Sequence, residues 1–296
     1  MDITPWIADY LHFCQEHKGL AKNSCRQIEL FVRRFDQFLH SEGLTSWNRL
    51  DVSHIDRFLR RQSSRNNIGR IQLIHAVLRG LLRYLFSLGL LDRDWACTLR
   101  SPRRYALAHT PRTMTSDQVL RLLRSIDRSH RGGKRDLAII LMVASLGVRA
   151  SEIAVLSLEH FDWRRAVVSF QPVKGKNLLP LPLSRPLIEA LADYLKNERP
   201  VHSPCRNVFL RLTPPFRPLT ADAVSKLIGQ RMRRAAIPGK GHWLRHTFAS
   251  ELLKSGVSFS TLQQLLGHSR WSSTQVYTKI DLAQLREVAD NDAENM

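Results

Sequence analysis

Apolar residues recur at helical spacing through the first hundred positions. Trp6, Ile7, Tyr10, Leu11 and Phe13 share one face, and Ile28, Phe31, Val32, Phe35, Phe38 and Leu39 form a longer one that stops at Gly43. Ile55, Phe58 and Leu59 mark a short third helix, with Ser53 as its expected N-cap. Ile71, Ile74, Val77, Leu78, Leu81, Leu82 and Leu85 mark a fourth, closed by Gly89. The periodicity then fails. Residues 101–113 are polar and basic and carry Pro102 and Pro111, the composition of a linker between two domains. The boundaries expected are a helical domain over 1–100 and a second domain over 114–296.

The second domain opens at Thr115 or Ser116 with a helix over Val119, Leu120, Leu122 and Leu123. An almost wholly apolar helix follows over 137–146 and ends at Gly147. Between 159 and 183 the pattern changes. A turn at Trp163-Arg-Arg precedes a β-like run over 167–170, a second turn at Lys174-Gly-Lys-Asn, and a further strand over 178–183. Helices return at 186–196, and after a proline-rich loop over 200–218 at 220–236, 243–255 and 260–266. A last apolar stripe, Ile280, Leu285 and Val288, lies near the polar end of the chain. The fold class expected is mostly α with one small antiparallel β-sheet, an α+β arrangement.

Composition narrows the partner. The 296 residues are 43% hydrophobic, enough for two cores, and the net charge is +19. An excess of that size, spread over both halves, favours a polyanion, and nucleic acid is the commonest one. Arg57, Arg60, Arg61, Arg65, Arg70, Arg79 and Arg83 line the third and fourth helices, and Arg103 and Arg104 sit in the linker. As a set they are candidate phosphate contacts; singly, each reads as a solvated helix face. Cys14, Cys25, Cys97 and Cys205 are scattered, without zinc-site or disulfide-framework spacing, which fits a reducing compartment. The sequence has no basic region followed by an apolar run at its start and no membrane-length apolar stretch. A cytoplasmic, nucleoid-associated protein with no membrane partner is the expectation.

Chemistry concentrates in a few short motifs. In His242-Trp-Leu-Arg245 the histidine and arginine are three apart and share a helix face. A guanidinium grips two phosphate oxygens, and an adjacent imidazole donates to phosphate or takes a proton. His246 reads as a packing residue. Arg149 follows Gly147 where the apolar helix ends, so it faces a cleft edge, and Glu152 three residues on is placed to fix it. Taken alone, that pair is a surface ion pair. Lys174 sits in a turn beside Gly175 and Lys176, placed to give a proton to a leaving oxygen. His268 follows a Gly267 stop, and Tyr277 lies nine residues beyond. Each element alone has an ordinary structural explanation.

Together, Gly147-Val-Arg149-Ala-Ser-Glu152, Lys174-Gly-Lys176, His242-Trp-Leu-Arg245-His-Thr-Phe, Leu266-Gly-His268-Ser and Tyr277 resemble the tyrosine recombinase (phage integrase) family, its Xer- and Cre-type enzymes in particular. The likeness covers nearly the whole chain. It implies a SAM-like core-DNA-binding domain at 1–100 and a catalytic domain at 114–296. Tyr277 would attack the scissile phosphate of double-stranded DNA, form a 3′-phosphotyrosyl bond and release a 5′-hydroxyl, with no ATP, metal or other cofactor. Arg149 and Arg245 would stabilise the pentavalent transition state, Lys174 would protonate the leaving oxygen, His242 would assist proton transfer at Tyr277, and His268 would hydrogen-bond the phosphate. The stripe over 280–288 would dock either on its own domain or on a neighbouring protomer in a tetramer on paired sites, of this chain or with a related recombinase. The expected outcome is integration, excision or resolution of a mobile element or chromosome, at a simple core site because no added arm-binding domain is seen. Two other readings use the same residues: a type IB topoisomerase-like enzyme that relaxes DNA, and a DNA-binding regulator with a silent site.

Overall fold

The computed structural model describes residues 4–44, 46–102, 112–170, 180–201 and 203–266. The chain divides into two compact units, Met1–Tyr105 and Ala106–Met296. The first is all helical: α1 (Thr4–Glu16), α2 (Lys22–Ser41), α3 (Val52–Ser63) and α4 (Ile68–Ser87). Each of the four apolar stripes becomes one of these helices, and Gly43 and Gly89 take the left-handed conformation that ends α2 and α4. Phe31, Phe35, Phe58, Leu78 and Leu82 are fully buried where α2, α3 and α4 meet. Phe35 and Phe58 meet edge to face with centroids 5.0 Å apart. The cap of α3 differs from the expectation. Asp51, not Ser53, accepts the free His54 N–H at 3.0 Å, and the Ser53 hydroxyl donates to the same carboxylate at 2.7 Å. A carboxylate is the stronger acceptor at the positive end of a helix, so the helix begins two residues earlier than a Ser53 cap would set.

The second unit is built around α6 (Gly133–Leu146), preceded by α5 (Ser116–Arg124) and followed by the short α7 (Ala150–Val155). Thr115 is the N-cap of α5, in a capping box with Gln118. The apolar run beginning at 137 understates α6, which starts four residues earlier. Glu198 supplies the reason: its carboxylate accepts the Gly132 N–H at 2.6 Å and the Arg135 N–H at 2.8 Å, satisfying donors at a helix start that carries no side-chain cap of its own. Next comes a three-stranded antiparallel sheet in the order β1 (Phe161–Asp162), β2 (Val167–Val168) and β3 (Leu181–Pro182), pairing Phe161 with Val168 and Val168 with Leu181. The strands are shorter than their β-like runs. Four helices complete the unit: α8 (Arg185–Asn197), α9 (Ala221–Arg234), α10 (His242–Lys254) and α11 (Phe259–Leu265). Thr220 caps α9 and Ser258 caps α11.

Because α6 is apolar almost all round, it packs against α5, α8, α9 and α10, with Ile139, Ile140 and Met142 fully buried. An ion pair sits inside this core. The Asp136 carboxylate pairs with Arg231 of α9 at 2.6 Å and with Arg135 at 2.9 Å. Both Asp136 and Arg231 are buried. No helix among the described residues is long and apolar enough to cross a membrane.

Replacing Asp136 with alanine strands the Arg231 guanidinium inside the core. The expected cost is about 3–5 kcal/mol of unfolding free energy, against roughly 1 kcal/mol or less for removing the exposed partner in the Arg33–Glu29 pair. Urea denaturation of the two variants beside the wild type checks the difference.

Candidate active site

The site begins where α6 ends. Gly147 is left-handed (φ +60°), and a Cβ there would run into the Phe248 ring, so the sharp exit from the helix requires glycine on two counts. The next turn of chain places Arg149 in extended backbone as the N-cap of α7. Glu152 holds it twice. One carboxylate oxygen accepts the Arg149 backbone N–H at 2.6 Å, and the other accepts Nη1 at 2.8 Å. The i,i+3 spacing taken alone reads as a surface pair, but here the arginine side chain is 38% exposed and the glutamate side chain 7% exposed. A buried carboxylate with both oxygens on one residue fixes that residue's direction as well as its charge.

Helix α10 brings the second arginine. The Arg245 guanidinium is buried; Nη1 donates to the Gly147 carbonyl and Nη2 donates to the Leu266 carbonyl at 2.6 Å. Three chain segments, the end of α6, α10 and the end of α11, are thus gathered on one side chain. One turn earlier on α10, His242 is exposed at the mouth of the same depression. The protein around it holds its pKa below the ordinary histidine value, and the neighbouring Lys240 adds a like-charge push in the same direction. His246 meets the His242 ring edge to face at 5.3 Å. Burial, followed by His242 and Arg245, depresses its pKa to about 4. It is a neutral packing residue, as its sequence position suggests.

Arg149, His242 and Arg245 line one cavity of about 650 Å³. They are separated by up to 96 positions in sequence, and the fold brings them onto common walls. The cavity also has basic and amide groups that the motifs do not reveal: Lys226, Gln230 and Arg233 of α9, and Lys240 before α10. Their signal in the sequence is the polar face of α9, where 226, 230 and 233 fall at helical spacing. Lys174, Lys176, Gly267, His268, Tyr277 and the stripe over 280–288 lie outside the described residues, as do Arg103 and Arg104.

Tyr194, the second tyrosine of this unit, has surroundings that unfit it for attack on a phosphate. It is fully buried, its hydroxyl donates to the Val208 carbonyl at 3.1 Å and accepts the Leu210 N–H at 3.2 Å, and burial pushes its pKa up to about 12. In the first unit the arginine set divides. Arg57 is paired with Glu42, Arg60 with Asp56, and Arg79 donates to Ser101 Oγ. Arg61, Arg65 and Arg70, with Arg34, instead line a polar depression of about 610 Å³. Arg83 is exposed on α4.

The family model described as the phage integrase family matches residues 112–284, and that of the phage integrase N-terminal SAM-like domain matches residues 7–89. An integrase/recombinase of Sinorhizobium fredii is 34% identical over 287 residues, 96% of this chain and 69% of that protein. Tyrosine recombinase XerD of Listeria monocytogenes is 30% identical over 95% of this chain and 96% of its own length. Tyrosine recombinase XerC of Pseudomonas entomophila is 33% identical over 86% and 84%. Two solved structures share the fold at lower identity. XerH recombinase bound to its difH substrate has a TM-score of 0.71 at 19% identity, over 96% of this chain and 84% of that one. A lambda integrase dimer bound to a core site has 0.72 at 14%, over 94% and 95%.

The depressed pKa of His246 has a consequence for stability. As pH falls from about 6.5, the ordinary histidine value, the unfolded chain takes up this proton first. Stability therefore declines from about pH 6.5 to about pH 4 and levels off below, with a slope from this one group approaching 1.4 kcal/mol per pH unit. Unfolding midpoints for His246→Gln should fall less than the wild type's over that window; parallel curves would remove His246 as the source.

Proposed function

The chain belongs to the phage integrase family and is a tyrosine recombinase, and on that premise we propose that its second unit cleaves and rejoins double-stranded DNA through Tyr277. One observation carries the reading of the site: Arg149, His242 and Arg245, from distant parts of the sequence, line one cavity. Two guanidiniums held from behind, one by the buried Glu152 and one by two main-chain carbonyls, are preorganised donors. Such donors do most for a transition state that gains negative charge, as a phosphate under attack does, because they need no rearrangement as the charge develops.

The step follows from the groups. The Tyr277 phenolic oxygen forms a bond to phosphorus, and the bond from phosphorus to the 5′-oxygen breaks. The product is a 3′-phosphotyrosyl link and a free 5′-hydroxyl. The phenol proton leaves with help from His242, whose depressed pKa keeps it unprotonated and able to accept. Lys174 gives the proton that the leaving 5′-oxygen takes up, and His268 hydrogen-bonds the phosphate. The bond energy is kept in the phosphotyrosyl ester, so the reverse attack by a 5′-hydroxyl reseals the strand without ATP. A 5′-hydroxyl from a partner duplex makes the outcome recombination.

The first unit grips the duplex through the arginine-lined depression of α2, α3 and α4. Residues 101–113 join the two domains, 1–100 and 114–296. Four protomers act on paired sites, and the stripe over 280–288 docks between them. Relatives and neighbours support this reading by name: Xer recombinases, and recombinases and integrases held on DNA.

Duplexes captured covalently by the wild type from a randomised library, rebuilt with a nick so that cleavage is trapped, provide the substrate. Tyr277→Phe should bind them but form no adduct; an adduct in this variant would move the nucleophile. Arg149→Ala and Arg245→Ala should each slow cleavage by roughly 10²-fold or more, the scale of losing one preorganised donor. Lys174→Ala should recover on a duplex whose leaving group is a 5′-phosphorothiolate, since sulfur departs without a proton. Recovery by Lys176→Ala in its place would shift the general acid by two residues.

A further inference from the structure

Helix α10 is held on two sides. His242 and Arg245 face the cavity, and Arg245 is tied to Gly147 and Leu266. At roughly 100° per residue, Thr247 lies about 160° around the helix from Arg245, on the opposite side. Its side chain is in contact with a segment far away in sequence. The Thr247 hydroxyl accepts the Met114 backbone N–H at 2.8 Å and donates to the Trp243 carbonyl at 2.9 Å. Both Thr247 and Met114 are buried, so the hydroxyl satisfies a main-chain donor that water does not reach. Trp243, one turn before Thr247 on the same face, carries the Arg112 guanidinium over its ring at 5.7 Å. The same indole lies against Gly239, where a Cβ would meet the ring at 2.5 Å. Arg112 and Met114 are therefore clipped to successive turns of α10, just before Thr115 caps α5.

We propose that Thr247 is a positioning residue for strand cleavage. Its hydroxyl locks the segment entering the catalytic unit, Arg112 to Met114, onto the back of α10, and so sets the rotation and axial position from which His242 and Arg245 reach the phosphate. The carbonyl contacts of Arg245 fix the front of the helix at one point. A second point on the far side is what prevents the helix from pivoting about the first. A misplacement of about 1 Å in a catalytic constellation costs about 10²-fold in rate, so a single missing hydroxyl is enough to register. The clip also makes the entering segment and the catalytic helix one mechanical piece.

This inference rests on the reading of Arg245 and His242 as groups acting on the phosphate. The test is single-turnover cleavage of the captured nicked duplexes, with duplex affinity and melting temperature measured on the same proteins. Thr247→Val keeps the shape and loses the hydroxyl; it should bind DNA within about twofold of the wild type and cleave about tenfold to 10²-fold more slowly. Thr247→Ser keeps the hydroxyl and should return the rate to within about threefold of the wild type, the rescue that a merely structural loss of packing would not give. Should Thr247→Val fail to fold, Arg112→Met, at an exposed position, carries the test: slower cleavage at unchanged affinity supports the clip, and the wild-type rate overturns it. Wild-type cleavage by Thr247→Val, equal impairment of the Val and Ser variants, or a rate loss matched by a loss of affinity each overturns the proposal. Arg245→Ala separates the two levels. If it cleaves normally, the reading of the site is wrong; if it is inactive while Thr247→Val is normal, only the positioning role falls.

Discussion

The catalytic unit depends on one buried guanidinium. Arg245 is withdrawn from water and donates one hydrogen bond from each of Nη1 and Nη2, to the carbonyls of Gly147 and Leu266. Those carbonyls belong to the ends of α6 and α11, where the last turns of a helix leave acceptors without partners. The arginine therefore completes two helices at once. Its burial is tolerable only because the hydrogen bonds are made, and they are made only if all three segments are in place. Gly147 is part of the same constraint: its left-handed backbone turns the carbonyl toward Arg245, and the adjoining Phe248 ring leaves no room for a side chain.

Arg149 follows a different rule. It is half-exposed, and its orientation comes from a carboxylate beneath it that serves no other residue described here. The core repeats the device away from the site, where Asp136 neutralises Arg231 and Arg135. In a chain with net charge +19, the acidic residues buried among the described ones, Asp136 and Glu152, hold arginines in place. The excess positive charge is thereby left to the surface, where it draws in and grips a polyanion.

Much of this was legible in the sequence, for reasons that differ from element to element. The four helices of the first unit follow from apolar periodicity, because each must bury one stripe against the others. Arg149, His242 and Arg245 are legible through short motifs, since each local turn needs its glycine or its helical spacing. Four features were not legible. The first turn of α6 is bonded by Glu198, more than sixty positions away. The cap of α3 falls to Asp51 because a carboxylate outcompetes the neighbouring hydroxyl. The burial of Glu152 is a property of packing, and an i,i+3 spacing is the same for a surface pair and a buried one. The wall residues Lys226, Gln230, Arg233 and Lys240 were passed over because a polar helix face reads as a solvated one until a cavity is seen beside it.

The sequence distances spanned by the Arg245 clamp bear on how the chain comes into being. One of its bonds reaches back 98 positions and the other forward 21. Contacts of such separation cost more loop-closure entropy than the turns of a helix do. During synthesis from the N-terminus, the first unit can fold, and bind, while the clamp's last partner is still inside the ribosome. A chain interrupted between Arg245 and Leu266 lacks one of the two carbonyls that hold the guanidinium. For a recombinase, the arrangement ties the finished Arg245 clamp to a chain made at least as far as Leu266.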